Sequence, residues 1–261
     1  MEATSRETTG PIIGETILET ARASMDVARV GSGPVTVVAL HGIQGTRAAW
    51  LRLARALADD ATFVLPNLQG RGAAPRPACP DGYTLAAYAA SVRAVVEHHA
   101  GGRPFVLAGW SMGVSVALEY AAGHASAMAP SALLLISGTP SLRDTRWFHA
   151  MDDDMLMAEI AAREQRLALS EAADHAAVAH TWRQIRDSDQ RDLLPKLAMP
   201  ALVIHGRDDD DCPWPHADAL SRAMPAARLA TLHDAGHSLL TANSDAVATL
   251  TRAWLHELRG G

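Results

Sequence analysis

The sequence is poor in cysteine, holds no cluster of basic residues and has no long unbroken apolar run. Its two cysteines, Cys79 and Cys212, lie far apart in a chain of 261 residues, each next to a proline. That suits a reduced compartment and argues against a disulfide scaffold. With a formal charge of −6 and no basic patch, neither nucleic acid nor an anionic membrane surface is the expected partner. The 12 histidines are scattered. None stands at a metal-ligand spacing from a cysteine or a second histidine, and the adjacent His98 and His99 would point apart on a helix, so no metal and no cofactor is expected. Tyr120 to Leu142 contains no Asp, Glu, Lys or Arg, but Gly123, His124, Ser126, Pro130, Ser131 and Gly138 break it too often for a membrane span. Residues 1–15 are polar, with neither the basic start nor the apolar stretch of a signal peptide, and read as a flexible segment of a cytoplasmic protein.

With 48% of its residues hydrophobic, the chain can bury a large core, and one α/β domain accounts for it. Thr16 to Ala21 and Met25 to Val30 read as an antiparallel pair. Val35 to Leu40 is a continuous apolar run of the kind found in a parallel sheet covered on both faces. A helical pattern over Arg47 to Asp59, a strand over Thr62 to Leu65, a helix over Thr84 to Ala100 and strands at Phe105 to Ala108 and Ala132 to Ile136 continue the alternation. From Ser141 to Leu197 no strand is expected. A stripe of Trp147, Met151, Met155, Ala158 and Ala162, then a second helical stretch from about Glu171 to Arg186, suggest a helical cap over the strand ends. Strands at Ala201 to Ile204 and Arg228 to Leu232, a short helix between them and a closing amphipathic helix from Ser244 to Leu258 complete the core, which comprises residues 16–140 and 198–261.

Gly109-Trp110-Ser111-Met112-Gly113 joins a strand to a helix. Small residues two places either side of Ser111 let a tight turn close and present the hydroxyl, so Ser111 is the candidate nucleophile. A serine needs a base, and the base needs a group to orient it. An acid within Asp208 to Asp211 and then His237 follow in the chain, each just past a predicted strand, where a parallel sheet opens its ligand crevice.

These motifs, with His41-Gly42 after a strand, Pro66-Asn67-Leu68-Gln69-Gly70-Arg71-Gly72 in a loop and Gly236-His237-Ser238, resemble the α/β-hydrolase superfamily from about Ile17 to Leu258. The chain is similar to lid-bearing serine carboxylesterases, and its Gly-Trp-Ser-x-Gly to that of bacterial pimeloyl carrier-protein methyl ester esterases. The resemblance implies a mainly parallel eight-stranded sheet flanked by helices, with 141–197 as the lid. Its Gly-x-x-Asp pattern with Pro four residues later selects Asp209, between Gly206 and Pro213, ahead of Asp208. Asp210 and Asp211 are left as a solvated turn. It assigns the oxyanion donors to the backbone amides of Ile43 and Met112. Expected substrate contacts are His41, Trp110, Trp147, Phe148, Met151 and Met155; Arg143 and Arg146 are further candidates, for a carboxylate or phosphate. The chain departs from the family at Asn67, where Asp is usual, at Val114, often Gly, and at Ala73-Ala74 in place of a common Ser. The implied activity is hydrolysis of an ester or lactone of a mostly apolar small molecule. A thioesterase, a carbon–carbon hydrolase or a ligand receptor of the same fold are the alternatives.

Overall fold

The computed structural model describes residues 12–19, 24–123, 128–145, 147–169 and 171–260. The elements run β1 (Ile12–Glu19), β2 (Ser24–Val30), β3 (Val35–Leu40), a 3-10 turn at Arg47–Trp50 leading into α1 (Leu51–Ala56), β4 (Ala61–Asn67), α2 (Leu85–His99), β5 (Phe105–Trp110), α3 (Met112–Gly123) and β6 (Ala132–Ile136). Then come α4 (Asp153–Leu167), α5 (His175–Ile185), β7 (Ala201–Gly206), α6 (Trp214–Ala223), β8 (Ala227–Leu232), α7 (Leu239–Ala242) and α8 (Ser244–Gly260). One sheet orders them β1-β2-β4-β3-β5-β6-β7-β8. The β1–β2 and β2–β4 pairs are antiparallel and every later pair is parallel.

The apolar runs of the central strands bury both faces. Alternate residues go to opposite layers: Val38, Leu40, Leu107 and Leu135 pack with Tyr88, Val92 and Leu118 of α2 and α3, while Val37, Ala39, Ala108 and Ile136 pack with Leu53 of α1 and Trp254 of α8. Strand order reverses between β3 and β5, so the loops leaving their carboxyl ends part there and leave a crevice. Gly42-Ile43 leaves β3 and Ser111 leaves β5, which puts both on that crevice.

Two expectations change. Residues 12–15, read as part of a flexible leader, are the start of β1, paired with β2 through Ile12 and Val30; residues 1–11 lie outside the described residues. The stripe 147-151-155-158-162 is not the inner face of a helix. Asp152 caps α4 by accepting the amides of Asp154 and Met155, so the helix begins after Trp147 and Met151. Within α4, Leu156, Ile160 and Arg163 face inward and Met155, Ala158 and Ala162 are exposed. No helix among the described residues is long and apolar enough to cross a membrane.

The loop after β3 is pinned by a buried imidazole. His41 Nδ1 donates to the carbonyl of Gly42 at 2.8 Å, and its Nε2 accepts the amide of Leu68 at 3.0 Å. Complete burial, then the nearby Arg71 charge, lowers its pKa to about 3. His99, half-buried and beside His98, is lowered to about 4. Between their ordinary value of 6.5 and these folded values the unfolded chain holds protons that the native state does not, so stability is full above that window and falls with pH through it. For His41 the loss is on the order of 3 kcal/mol by about pH 4. Urea unfolding at about pH 7 and about pH 4.5 checks this, and equal stability at the two would refute it.

Candidate active site

Ser111 sits in a left-handed backbone conformation, φ 57°, a strained geometry worth about 1–3 kcal/mol that the surroundings must hold. They do so from both sides. The Ser111 amide donates to the carbonyl of Ile136, extending the β5–β6 ladder, and its carbonyl receives the amide of Val114 in the first turn of α3. A Cβ at Gly109 would lie 2.3 Å from the Gly113 carbonyl oxygen, and one at Gly113 would lie 2.2 Å from that of Leu40. Only glycine lets strand, turn and helix approach this closely.

His237 lies beyond β8 and reaches Ser111, with Nε2 2.9 Å from Oγ. Its Nδ1 is 3.0 Å from both carboxylate oxygens of Asp209. A carboxylate only accepts, so Nδ1 carries the proton and Nε2 is left to accept from the serine hydroxyl. Asp209 is itself fixed, since Oδ1 takes the amides of Asp211 at 3.0 Å and Cys212 at 2.8 Å. Its four-residue run is therefore not one environment. Asp208 and Asp210 are exposed, and the Asp208 amide is committed to the Ala235 carbonyl. Among the described residues Asp209 is the carboxylate that meets His237.

Trp110 does two things at once. It lines the narrow cleft over Ser111, and its indole donates to the His237 carbonyl at 3.2 Å, bracing the loop that carries the imidazole. The Ile43 and Met112 side chains are fully buried, and neither backbone amide has a hydrogen-bond partner among the described residues. Both amides flank the cleft end of the structure, one leaving β3 and the other opening α3, and the Ile43 carbonyl is held by Nη2 of Arg71 at 2.5 Å. Arg71 is wholly buried and also donates to the Gln69 carbonyl, the Tyr88 hydroxyl and Thr181. It thus fastens the Ile43 loop to α2 and α5.

The other expected contacts divide. Trp147 and Phe148 are buried under 141–197, where both rings pack on Trp182. Met151 and Met155 are corrected: at 74% and 63% exposure they face outward. His41 is corrected as well, because both its nitrogens are spent on backbone and the ring is inaccessible. Arg143 is exposed on the Asp187 carbonyl, and Arg146 lies outside the described residues. Asp211, expected in solvent, is 5% exposed and engages Arg163 and Arg166. Asn67 replaces the family's usual Asp by giving its amide to Asp26, which supplies the carboxylate from β2 instead and also takes the Ala73 amide.

Sequence reasoning missed Gln44 and Arg163. Gln44 Nε2 donates to the Ile160 carbonyl at 2.7 Å, and its Oε1 accepts Arg163 Nη1 at 2.7 Å, so the β3 loop grips α4 directly above the serine. The signal was present in the spacing, since Arg163 follows Leu156 by seven and Ile160 by three and shares their face. With α4 drawn down, Ser111 is 1% exposed and His237 6%.

The chain as a whole is similar to known proteins. RutD of Cronobacter sakazakii, whose name associates it with carbamate hydrolysis, is 29% identical over 232 residues, 79% of this chain and 85% of its own. The pimeloyl-acyl-carrier-protein methyl ester esterase of Nitrosomonas europaea is 26% identical over 246 residues, 83% of this chain and 93% of its own. An esterase structure from Thermogutta terrifontis superposes with a TM-score of 0.77 at 22% identity, covering 94% of this chain and 99% of that one, a likeness of fold. The model of the alpha/beta hydrolase family matches residues 37–250. The chain belongs to the alpha/beta hydrolase family.

Proposed function

We propose that the protein is a serine esterase that hydrolyses a carboxylic ester or lactone through an acyl-enzyme. The observation that carries this is the unbroken hydrogen-bonded row from Ser111 Oγ through His237 to Asp209, with the proton positions it dictates. Ser111 Oγ attacks the carbonyl carbon while His237 Nε2 takes its proton, and the carbonyl electron pair moves onto oxygen. The amides of Ile43 and Met112 stabilise that oxyanion. Collapse expels the alcohol, which leaves with the proton from His237; water then repeats the sequence, the base taking its proton, and the acid and free Ser111 are released. No step calls for a cofactor. Asp209 keeps the imidazole in the one tautomer that can accept from serine.

The segment 141–197 serves as a lid. Its closure buries the nucleophile, so substrate enters when α4 lifts from Gln44. A second hollow shares Trp110, Leu167 and Leu169 with the serine cleft and is further lined by Ala49, Leu240 and the polar Glu171, Ser238 and Thr241; once α4 lifts, its apolar side is where an alcohol or acyl group would lie.

A panel of p-nitrophenyl esters, lactones, acyl thioesters and aryl carbamates tests the reading. Esters or lactones are expected to turn over fastest, and Ser111→Ala to lower kcat by about 10⁶. Faster turnover of thioesters or carbamates than of matched esters would assign the bond differently. Equal rates in wild type and Ser111→Ala would remove the serine mechanism.

A further inference from the structure

Arg163 brings a buried cation to the wall of the cleft as well as latching α4 to the β3 loop. Its side chain is 4% exposed, comes down from α4, and forms one wall of the cleft that Ser111, His237 and Ile43 also line. Three of its features are fully built. Nε lies 3.3 Å from Oδ1 of Asp211, Nη1 donates to Gln44 at 2.7 Å, and the guanidinium carbon stands 5.5 Å from the centre of the Trp147 ring and 5.7 Å from that of Phe148. The remaining nitrogen, Nη2, is buried and has no hydrogen-bond partner among the described residues.

Asp211 is shared, since Arg166 Nη2 also reaches its Oδ1 at 2.8 Å, so two guanidinium groups face one carboxylate. Asp209, paired with a neutral His237, is the second carboxylate nearby, so the group carries no net charge, and Oδ2 of Asp211, like Nη2 of Arg163, is buried without a hydrogen-bond partner among the described residues. The lid therefore brings one unanswered guanidinium donor to the wall of the cleft beside the nucleophile. A buried N–H without an acceptor is costly, and a planar guanidinium fork matches a carboxylate better than any neutral group.

We infer that Arg163 binds a carboxylate on the acyl part of the substrate, which makes the preferred substrates monoesters of short dicarboxylic acids. The inference rests on the esterase reading and narrows it. The cleft is narrow and Arg163 and Ser111 share its walls, so the carboxylate stands only a few bonds from the carbonyl that is attacked. The alcohol is then left to the leucine side of the neighbouring hollow, by Leu167 and Leu240.

The test compares monoethyl succinate with ethyl 4-methylpentanoate, its neutral isostere, by pH-stat on wild type, Arg163→Lys and Arg163→Met. Each protein is read on both esters, so the ratio of the two kcat/KM values is independent of the fraction folded. Wild type is expected to favour the anionic ester by about 10-fold or more, and Arg163→Met to lower that ratio by about 10- to 100-fold, with Arg163→Lys between them. A wild-type ratio at or below one, or a ratio unchanged in Arg163→Met, overturns the inference while ethyl 4-methylpentanoate turnover keeps the esterase reading standing. Hydrolysis of neither ester, nor of any in the p-nitrophenyl panel, overturns both.

Discussion

Asp209→Asn is expected to lower kcat by about 10⁴ without unfolding the protein. The fold is spared because the asparagine carbonyl can keep accepting the amides of Asp211 and Cys212, which hold the present carboxylate at 3.0 and 2.8 Å. Catalysis is not spared. The new side-chain amide would face His237 Nδ1, where Asp209 now lies 3.0 Å away, and would donate to it. The ring proton would move to Nε2, opposite the Ser111 hydroxyl, and the base would have no lone pair to offer. Asp208→Asn, on an exposed side chain, is expected to change kcat by less than about 2-fold. Steady-state rates with a thermal melt on each variant decide this; a large loss in Asp208→Asn and a small one in Asp209→Asn would reverse the assignment of the acid.

The second large effect is on the scaffold of the turn. In Gly113→Ala the added methyl would lie 2.2 Å from the carbonyl oxygen of Leu40 and 3.0 Å from that of His41. Both are backbone atoms at the end of β3, so no side chain can swing aside. Either α3 lifts from the sheet or the end of β3 shifts, and with it the Ile43 loop and the strained Ser111. The expected cost is about 3 kcal/mol or more, a fall of about 10 °C in Tm. Turnover should drop by at least about 10²-fold even in the folded fraction, because an oxyanion donor and the nucleophile would both move. An unaltered melting temperature would mean that the contact is looser than described.

What the sequence disclosed follows from what each residue type is forced to do. Val35–Leu40 and Ala132–Ile136 were readable to the residue because an unbroken apolar run bounded by polar and turn residues has few alternatives to a buried strand. Ser111 was readable because glycines at fixed places around a serine are a backbone requirement, and the requirement is met by carbonyls just over 2 Å from the missing Cβ positions. Four aspartates in a row carry no period, by contrast. Which of them is buried depends on how one turn folds over Cys212, and so Asp211 was placed in water although it is bound to two arginines. The methionine stripe misled for a related reason. The N-cap at Asp152 starts α4 after Trp147 and Met151, which cuts them out of the helical period, and the face that docks is the one carrying Leu156, Ile160 and Arg163. Arg163 and Gln44 meet across 119 positions of chain, a pairing that only the packing of α4 on the β3 loop creates.

All of the proposed chemistry rests on Ser111 becoming acylated by the action of His237. The direct measurement is the mass of the Ser111 peptide after brief exposure to a fluorophosphonate, in wild type and in His237→Ala. One adduct on Ser111 in wild type, formed at least about 10³-fold more slowly in His237→Ala, is the expected result. An unlabelled Ser111 in a preparation that hydrolyses esters, or labelling at the same rate without His237, would contradict it.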